Sequence, residues 1–592
     1  MFDPIITDPA WEAWYQFTLA ERITYCTNYT NSSEYHFASN GNDLLGDGSI
    51  TAPFYSVAKA QQLIDASNGH ITIKFKSGDT FHSLTGIDTG IKNNVIITRY
   101  DDGPRPKITT FLPLTDLSYN GMVRVQTMLQ TVTWVKSTDP LIRGSNYNFV
   151  ISTPESWFFD NSTNILYVNS IHPDLEYTQP TSHGIIIRGD RNLIEGLEVE
   201  GFGMQLTTPS QQHGLEIRTT ANRQACIINS KSSYGSSHVI THLGVDNEFG
   251  PNAYGGVATF VGCEAAWATK NSAGETLFNT FSLHGQQDVI FDACQVIHGT
   301  LPSDNWNYSY DKGIGFYGHT GGSIPMFRVI ANNCFVDNCE IGIMFNDLPP
   351  TEDLNSAKSV INKCTINSYT NPLVMNYLVV NKCILNFTPP RFTYSLANFV
   401  QNGWCINSQV NLDLSSSDYY FALFNNPPNT PTSPEFIHNT FTVNNTGSNA
   451  IFNLDYDTPI QSFNGKFENN AIILTSSNPN LTMGGINNNA YINTVSNNDN
   501  NAIINPVTLL CTTNSNILTS INMNTLPGRK CVGAVEDYQP ADINHDFMVD
   551  FFDYLDFVDA FSNNSSEADF NNDSFIDFFD YLDFTSSLST SC

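Results

Sequence analysis

Two stretches near the end of the chain carry oxygen-bearing side chains at regularly repeated positions. Asp542, Asn544, Asp546, Asp550 and Asp553 form the first; Asp569, Asn571, Asp573, Asp577 and Asp580 form the second, 27 residues later (569 − 542). A calcium ion takes six to eight hard oxygens, and a twelve-residue loop supplies them from positions 1, 3, 5, 7, 9 and 12. Position 7 gives a backbone carbonyl, which here belongs to Met548 and Phe575. Val549 and Ile576, at position 8, are placed to pair across the two loops. Both copies run on as Phe-Phe-Asp-Tyr-Leu-Asp-Phe, so each loop leads into the same short helix. An acidic disordered tail has no reason to place five oxygen-bearing side chains twice in register. The spacing predicts two Ca2+ sites whose filling is coupled to folding, because carboxylates this dense repel one another without the ion.

A second set of residues lies in the middle of the chain. Aligning the segments around 215–218, 239–242, 282–284, 315–319, 343–347 and 374–377 gives a row of Arg218, His242, His284, Tyr317, His319, Asn346 and Asp347. Lys270, Asp288, Asp311 and Lys312 fall on neighbouring segments, and Trp306, Tyr308 and Tyr310 form an aromatic loop suited to stacking on sugar rings. Eliminative cleavage of a uronate polymer needs a cation to neutralise the carboxylate, a base for the proton alpha to it, and an acid for the leaving oxygen. Arg218 or Lys270 would neutralise, His284 or His242 would act as base, and Tyr317 or His319 as acid. With Trp306, Tyr308 and Tyr310, Asp311 and Asp347 complete the candidate substrate-binding set. A hydrolase would need two carboxylates across the scissile bond. Asp311, Asp288 and Asp347 are its candidates, but the sequence shows no tight acidic pair.

The element that must hold such a row is repetitive. His183-Gly184-Ile185-Ile186-Ile187-Arg188 recurs 30 residues on (213 − 183) as His213-Gly214-Leu215-Glu216-Ile217-Arg218. Short alternating segments, a strand signal, end again and again in a small residue followed by cysteine: Cys226, Cys263, Cys294, Cys334, Cys364 and Cys383, with Thr440 and Ala471 taking that place later. Units that cannot bury a core alone stack into a solenoid. The recurring cysteines are then expected as an inward ladder of free thiols, with Cys334/Cys339 and Cys511/Cys531 as the candidate disulfides. Asn side chains in the stacked turns are expected to form hydrogen-bonded ladders without a functional role. The opening residues, with Trp11, Trp14, Tyr15 and Phe17 at helical spacing, are expected to cap the first rung.

The segment from Phe37-Ala38-Ser39-Asn40-Gly41-Asn42-Asp43 through Gly46-Asp47-Gly48, Pro53-Phe54 and Ala58-Lys59-Ala60 to the strand and turn at 71–81 resembles the start of secreted right-handed parallel β-helix proteins of the pectate-lyase kind. Val532-Gly533-Ala534-Val535-Glu536 resembles their ending, with Cys531 where an Asp is usual. Residues 541–592 resemble a type I dockerin. They depart from it in Phe547 and Ser574, where glycine is usual at position 6, and in Phe551-Phe552 and Phe578-Phe579 at positions 10 and 11. The expected fold is therefore all-β: a right-handed parallel β-helix solenoid with a small α-helical, EF-hand-like module. The expected boundaries are 1–34 for the cap, 35–536 for the β-helix and 541–592 for the module.

The resemblance implies a secreted or cell-surface protein that acts on an acidic polysaccharide and docks through its tail on a cohesin-like partner. A non-catalytic β-helical adhesin and a structural unit of an extracellular assembly are the competing readings. With 26 basic against 57 acidic residues, a formal charge of −31 argues against a nucleic-acid partner. No apolar run is long enough to predict a membrane span, and the first residues do not read as a secretion signal.

Overall fold

The computed structural model describes residues 9–29, most of 33–300, the strands and adjoining turns between 312 and 493, and most of 551–589. By internal contacts it divides into two units, the first comprising residues 1–379, 386–403 and 423–425.

The first unit is a parallel β-coil with three faces. One face stacks Ile71–Lys76, Val95–Tyr100, Asn192–Glu195, Gln224–Ile228, Val257–Val261, Asp288–Asp292, Arg328–Asn332 and Ser359–Asn362. The next strand of each turn pairs in the same order: Lys107–Thr109, Glu198–Glu200, Lys231–Ser233, Glu264–Ala268 and Gln295–Thr300. The third face carries Ile185–Ile187, His213–Ile217, His238–Leu243, Leu277–His284 and Lys312–His319. The 30-residue repeat is a true rung, because Ile185 pairs with Leu215 and Ile187 with Ile217. Between the faces the core is aromatic. Phe281 stacks on Phe316 at 4.8 Å, and both meet Phe291 edge-on.

The corner between the first two faces is a one-residue left-handed turn at Asn229, Gly262, Ala293, Asn333 and Lys363, all near φ +50° to +60°. The residue after it points inward, and there the cysteines stack. Cys263, Cys294, Cys334 and Cys364 are buried and unbridged, and each donates to a carbonyl of the preceding rung, such as Cys263 Sγ to Ile227 O at 3.2 Å. The expected ladder is therefore present, with three corrections. Cys226 is not on it: the pairing of Lys231 with Glu264 gives that place to Ser230. Thr440 and Ala471 pair with Gln409 and each other, one residue past the ladder. Cys334 and Cys339 are both buried and are not bonded to each other; Cys511 and Cys531 lie outside the described residues. Asparagine ladders run alongside: Asn362 donates to Asn332 at 2.8 Å, and Asn332 to Asp292 at 2.9 Å.

The first turn is closed by α2 (Val57–Ala66), whose Val57, Ala60 and Ile64 are buried with Phe37 and Phe54. Ser56 caps this helix by accepting from Lys59 N at 3.1 Å. Asp43 holds its approach by accepting from Tyr55 N and Ser56 N. Gly41 is required there, since a Cβ would collide with the Phe54 carbonyl.

The N-terminal helix α1 (Pro9–Thr27) does not sit on this end. It lies along the outside of the first face, where Tyr15 donates to Asp292 at 2.7 Å, Tyr25 to Asp190 at 2.9 Å, and Arg22 pairs with Asp288 at 2.7 Å. These polar contacts and the packing of Tyr15 and Leu19 on Ile290 and Ile330 fix the helix across several rungs.

Between Lys107–Thr109 and Ile185–Ile187 the chain leaves the coil and folds into two sheets, antiparallel but for the pairing of Ile142 with Ser156, with their own core of Val135, Trp157, Leu166, Val168 and Leu175. This module includes the short helix α3 (Tyr147–Ser152). Lys136 anchors it to the coil, reaching Glu200 at 2.6 Å over the ring of Phe111. Burial raises the carboxyl of Glu200, but Lys136 and Lys107 more than offset it and hold it below the usual range.

The second unit comprises residues 380–385, 404–422 and 426–592. Its parallel strands continue the pattern, with Cys405 over Phe436 and Val410 over Phe441. It also holds helices α4 (Phe551–Ser562) and α5 (Phe578–Ser589), which share a core of Phe557, Ala560, Ala568 and Phe584. Phe557 and Phe584 are equivalent residues of the two sequence copies, and their rings stack in parallel at 4.0 Å.

Candidate functional site: the third face of the coil

Strand register decides which of the expected residues share a line. Leu243, His284 and His319 pair in succession. His284 and His319 are thus direct neighbours on adjacent rungs, about 4.8 Å apart along the ladder. Ser282 pairs with Tyr317, two residues earlier on the same strands. Arg218 follows Ile217, which pairs with His242, and so falls at the head of the His284 line. His242 itself holds the register position of Leu283 and Gly318, one residue off the line. Aligning strands by their polar ends produced that slip, which exchanges one set of alternating positions for the other. Lys270, Trp306, Tyr308, Tyr310, Asp311, Asn346 and Asp347 lie outside the described residues.

Asp288 does not belong to this line. It starts a strand of the first face, where Arg22 and Arg328 grip its carboxylate. Burial pushes its pKa up, but the Arg328 hydrogen bond and the Arg22 charge lower it overall. It is a structural anchor for α1.

At the head of the line is a cluster that sequence reading did not single out. Arg218 Nε donates to Glu216 Oε1 at 2.6 Å, and His183 Nδ1 lies 3.2 Å from Glu216 Oε2. The Glu216 side chain is 0% exposed. Burial alone would raise its pKa, but neighbouring His213, the His183 contact and Arg218 together hold it well below the ordinary carboxylate range. The rings of His183 and His213, one rung apart, are 5.7 Å apart. His183 Nδ1 also receives the backbone N–H of His213 at 3.2 Å. A ring nitrogen cannot accept that N–H and donate to Glu216 at once, so His183 Nδ1 serves one partner or the other. The arrangement is a buried carboxylate that fixes the plane of a guanidinium beside the imidazole of His183. The repeat itself was the available signal, since it stacks His183 on His213.

Of the expected calcium ligands, Asp542, Asn544, Asp546, Met548, Asp550, Asp569, Asn571, Asp573 and Phe575 lie outside the described residues, and Asp553 is placed only by its backbone in α4. Among the rest, Asp577 is exposed and Asp580 fully buried. The Asp580 carboxylate accepts from Phe570 N at 2.7 Å and from Asp577 N at 2.8 Å, which are positions 2 and 9 of its loop. The position-12 carboxylate therefore folds back over its own loop. Phe579, at position 11, is 64% exposed, and Leu582 on the same helix 43%.

No family model and no curated protein matches this chain. Solved structures resemble it loosely. One described as a glycoside hydrolase is 7% identical, with 72% of this chain and 95% of that chain covered and a TM-score of 0.42. XylC in complex with xylose is 11% identical, with 78% and 84% covered and a TM-score of 0.42. Pectate lyase Pel9A is 14% identical, with 85% and 89% covered and a TM-score of 0.31. Likeness at this level decides no activity. The parallel coil rests on the strand pairings themselves.

Proposed function

We propose that this protein is a carbohydrate-active β-helix whose third face takes an extended acidic polysaccharide and cleaves it by β-elimination. The observation that carries this reading is the register of His284 on His319 with Arg218 at the head of the same line. Repeated strand ends make a rail that suits a polymer. In this reading Arg218, with its plane fixed by Glu216, faces the uronate carboxylate. His284 removes the alpha proton, and His319 or Tyr317 protonates the leaving oxygen.

The C-terminal pair of loops is read as a dockerin-like module that holds two Ca2+ and docks on a cohesin-like protein outside the cell. The exposed Phe579 and Leu582 support a protein contact there.

The test mixes the full chain, with and without Ca2+, with acidic and neutral polysaccharides, and follows unsaturated-uronate absorbance and new reducing ends together. Both signals should rise on an acidic polymer, and fall by about 10²-fold or more in His284→Ala and Arg218→Ala, the range expected for loss of a proton-transfer or charge-stabilising group. Reducing ends alone would replace elimination by hydrolysis. No product on any polymer would leave a glycan-binding or assembly protein.

A further inference from the structure

Cys226, which strand register leaves off the thiol ladder, instead faces the α1 helix. Its Sγ lies 2.8 Å from Sγ of Cys26, near the C-terminal end of α1, across 200 residues of sequence. Two non-bonded carbons in ordinary packing stay about 3.5–4.0 Å apart, and a disulfide bond is about 2.05 Å long. The two sulfurs are thus well inside ordinary packing distance. Both residues are completely buried, in a small cluster with Leu193 and Ile228 against which Ile23 packs. The helix carrying Cys26 is held in place independently, by Arg22 on Asp288 and by the Gln224 side chain donating to Arg22 O at 2.9 Å. The pair is therefore presented by two elements already docked. Cys226 Sγ also lies 3.6 Å from Arg22 O, on the same helix as Cys26.

We propose that Cys26 and Cys226 form a disulfide that locks α1 onto the first face of the coil when the protein meets an oxidising, disulfide-containing medium. The oxidant is a low-molecular-weight disulfide such as oxidised glutathione. One protein thiolate attacks it, releasing one glutathione thiol and leaving a mixed disulfide. The second protein thiolate then displaces the other glutathione. The protein loses two thiol protons and two electrons, and the reagent becomes two thiols. Because both sulfurs are buried, exchange requires the end of α1 to lift, so oxidation is expected to be slow in the folded protein and fast during refolding.

The experiment refolds the full chain with oxidised and reduced glutathione, alkylates remaining thiols in denaturant, and maps peptides by mass spectrometry with and without reductant. The expected result is one reductant-sensitive species joining the Cys26 and Cys226 peptides, with Tm raised by several degrees over the reduced protein. Cys26→Ser and Cys226→Ser should each lose that species and the redox-dependent part of Tm, while the reduced variants keep the strand signal of the wild type. Should a serine variant not fold, the wild-type peptide map decides alone. Full alkylation of both Cys26 and Cys226 after oxidative refolding, or pairing of either with a different cysteine, would overturn the proposal.

Discussion

At the scale of single residues, the position that decides most is Glu216, not the histidines that polar strand ends advertised. It is wholly buried, and its charge is matched by Arg218, His183 and His213. Breaking a buried pair by removing one partner costs about 3–5 kcal/mol. Glu216→Gln is expected to lose stability in that range, read from the urea midpoint at neutral pH. The pH dependence has a definite sign. The folded pKa of Glu216 is depressed, so its contribution is present above the unfolded value of about 4.3 and is lost as pH falls through the folded value. Acidification should therefore destabilise the wild type more than Glu216→Gln; equal slopes below about pH 4.3 would refute that assignment. Arg218 was legible from sequence because it ends a repeated strand. Glu216 was not, because an alternating polar residue two places away reads as solvated until stacking on the previous rung buries it. The misplacement of His242 has the same origin, since strand ends do not fix register and hydrogen bonding does.

At the scale of elements, aromatic spacing announced α1 as a helix expected to cap the first rung, and the structure lays it along the first face instead. Its docking is decided by Asp288 and Asp292, which are far away in sequence and mark no motif there. Asp288→Ala should leave Arg22 and Arg328 facing each other without their shared carboxylate, at a cost of about 3 kcal/mol. Under reducing conditions, amide exchange should quicken across residues 9–27 while the strands beneath keep their protection. Unchanged exchange in α1 would show that apolar packing alone retains it. The insertion after Lys107–Thr109 was missed for another reason. Ser156–Asp160 and Ile165–Asn169 flank a turn that Asp160 holds through Ser162 N and Thr163 Oγ1, a hairpin signal in its own right. It was absorbed into the expectation of a continuous coil. The coil itself was legible because a 30-residue repeat is a rung, and because cysteines recur at the ends of its short strands.

At the scale of the whole chain, an excess of 31 negative charges makes calcium the natural counter-charge for the segment where carboxylates are densest. Helices α4 and α5 already meet through the stacked pair Phe557 and Phe584, and the Asp580 carboxylate already spans its loop. In the second copy Asp580 joins the helix to Phe570 and Asp577: an ion held by Asp580 would also fix the start of α5. Titration of the full chain by calorimetry should give two Ca2+ per chain, with slower proteolysis of residues 541–592 once the ion is bound. Asp580→Ala should reduce the stoichiometry to one, since it removes the position-12 ligand of the second loop alone. Phe557→Ala should act differently. Truncating a buried phenylalanine costs about 3–5 kcal/mol, and this ring serves both helices, so both sites should weaken together although no ligand is touched. Were Phe557→Ala to bind two ions with wild-type affinity, the loops would be independent of the shared core, and coupling between ion binding and folding in this module would fail.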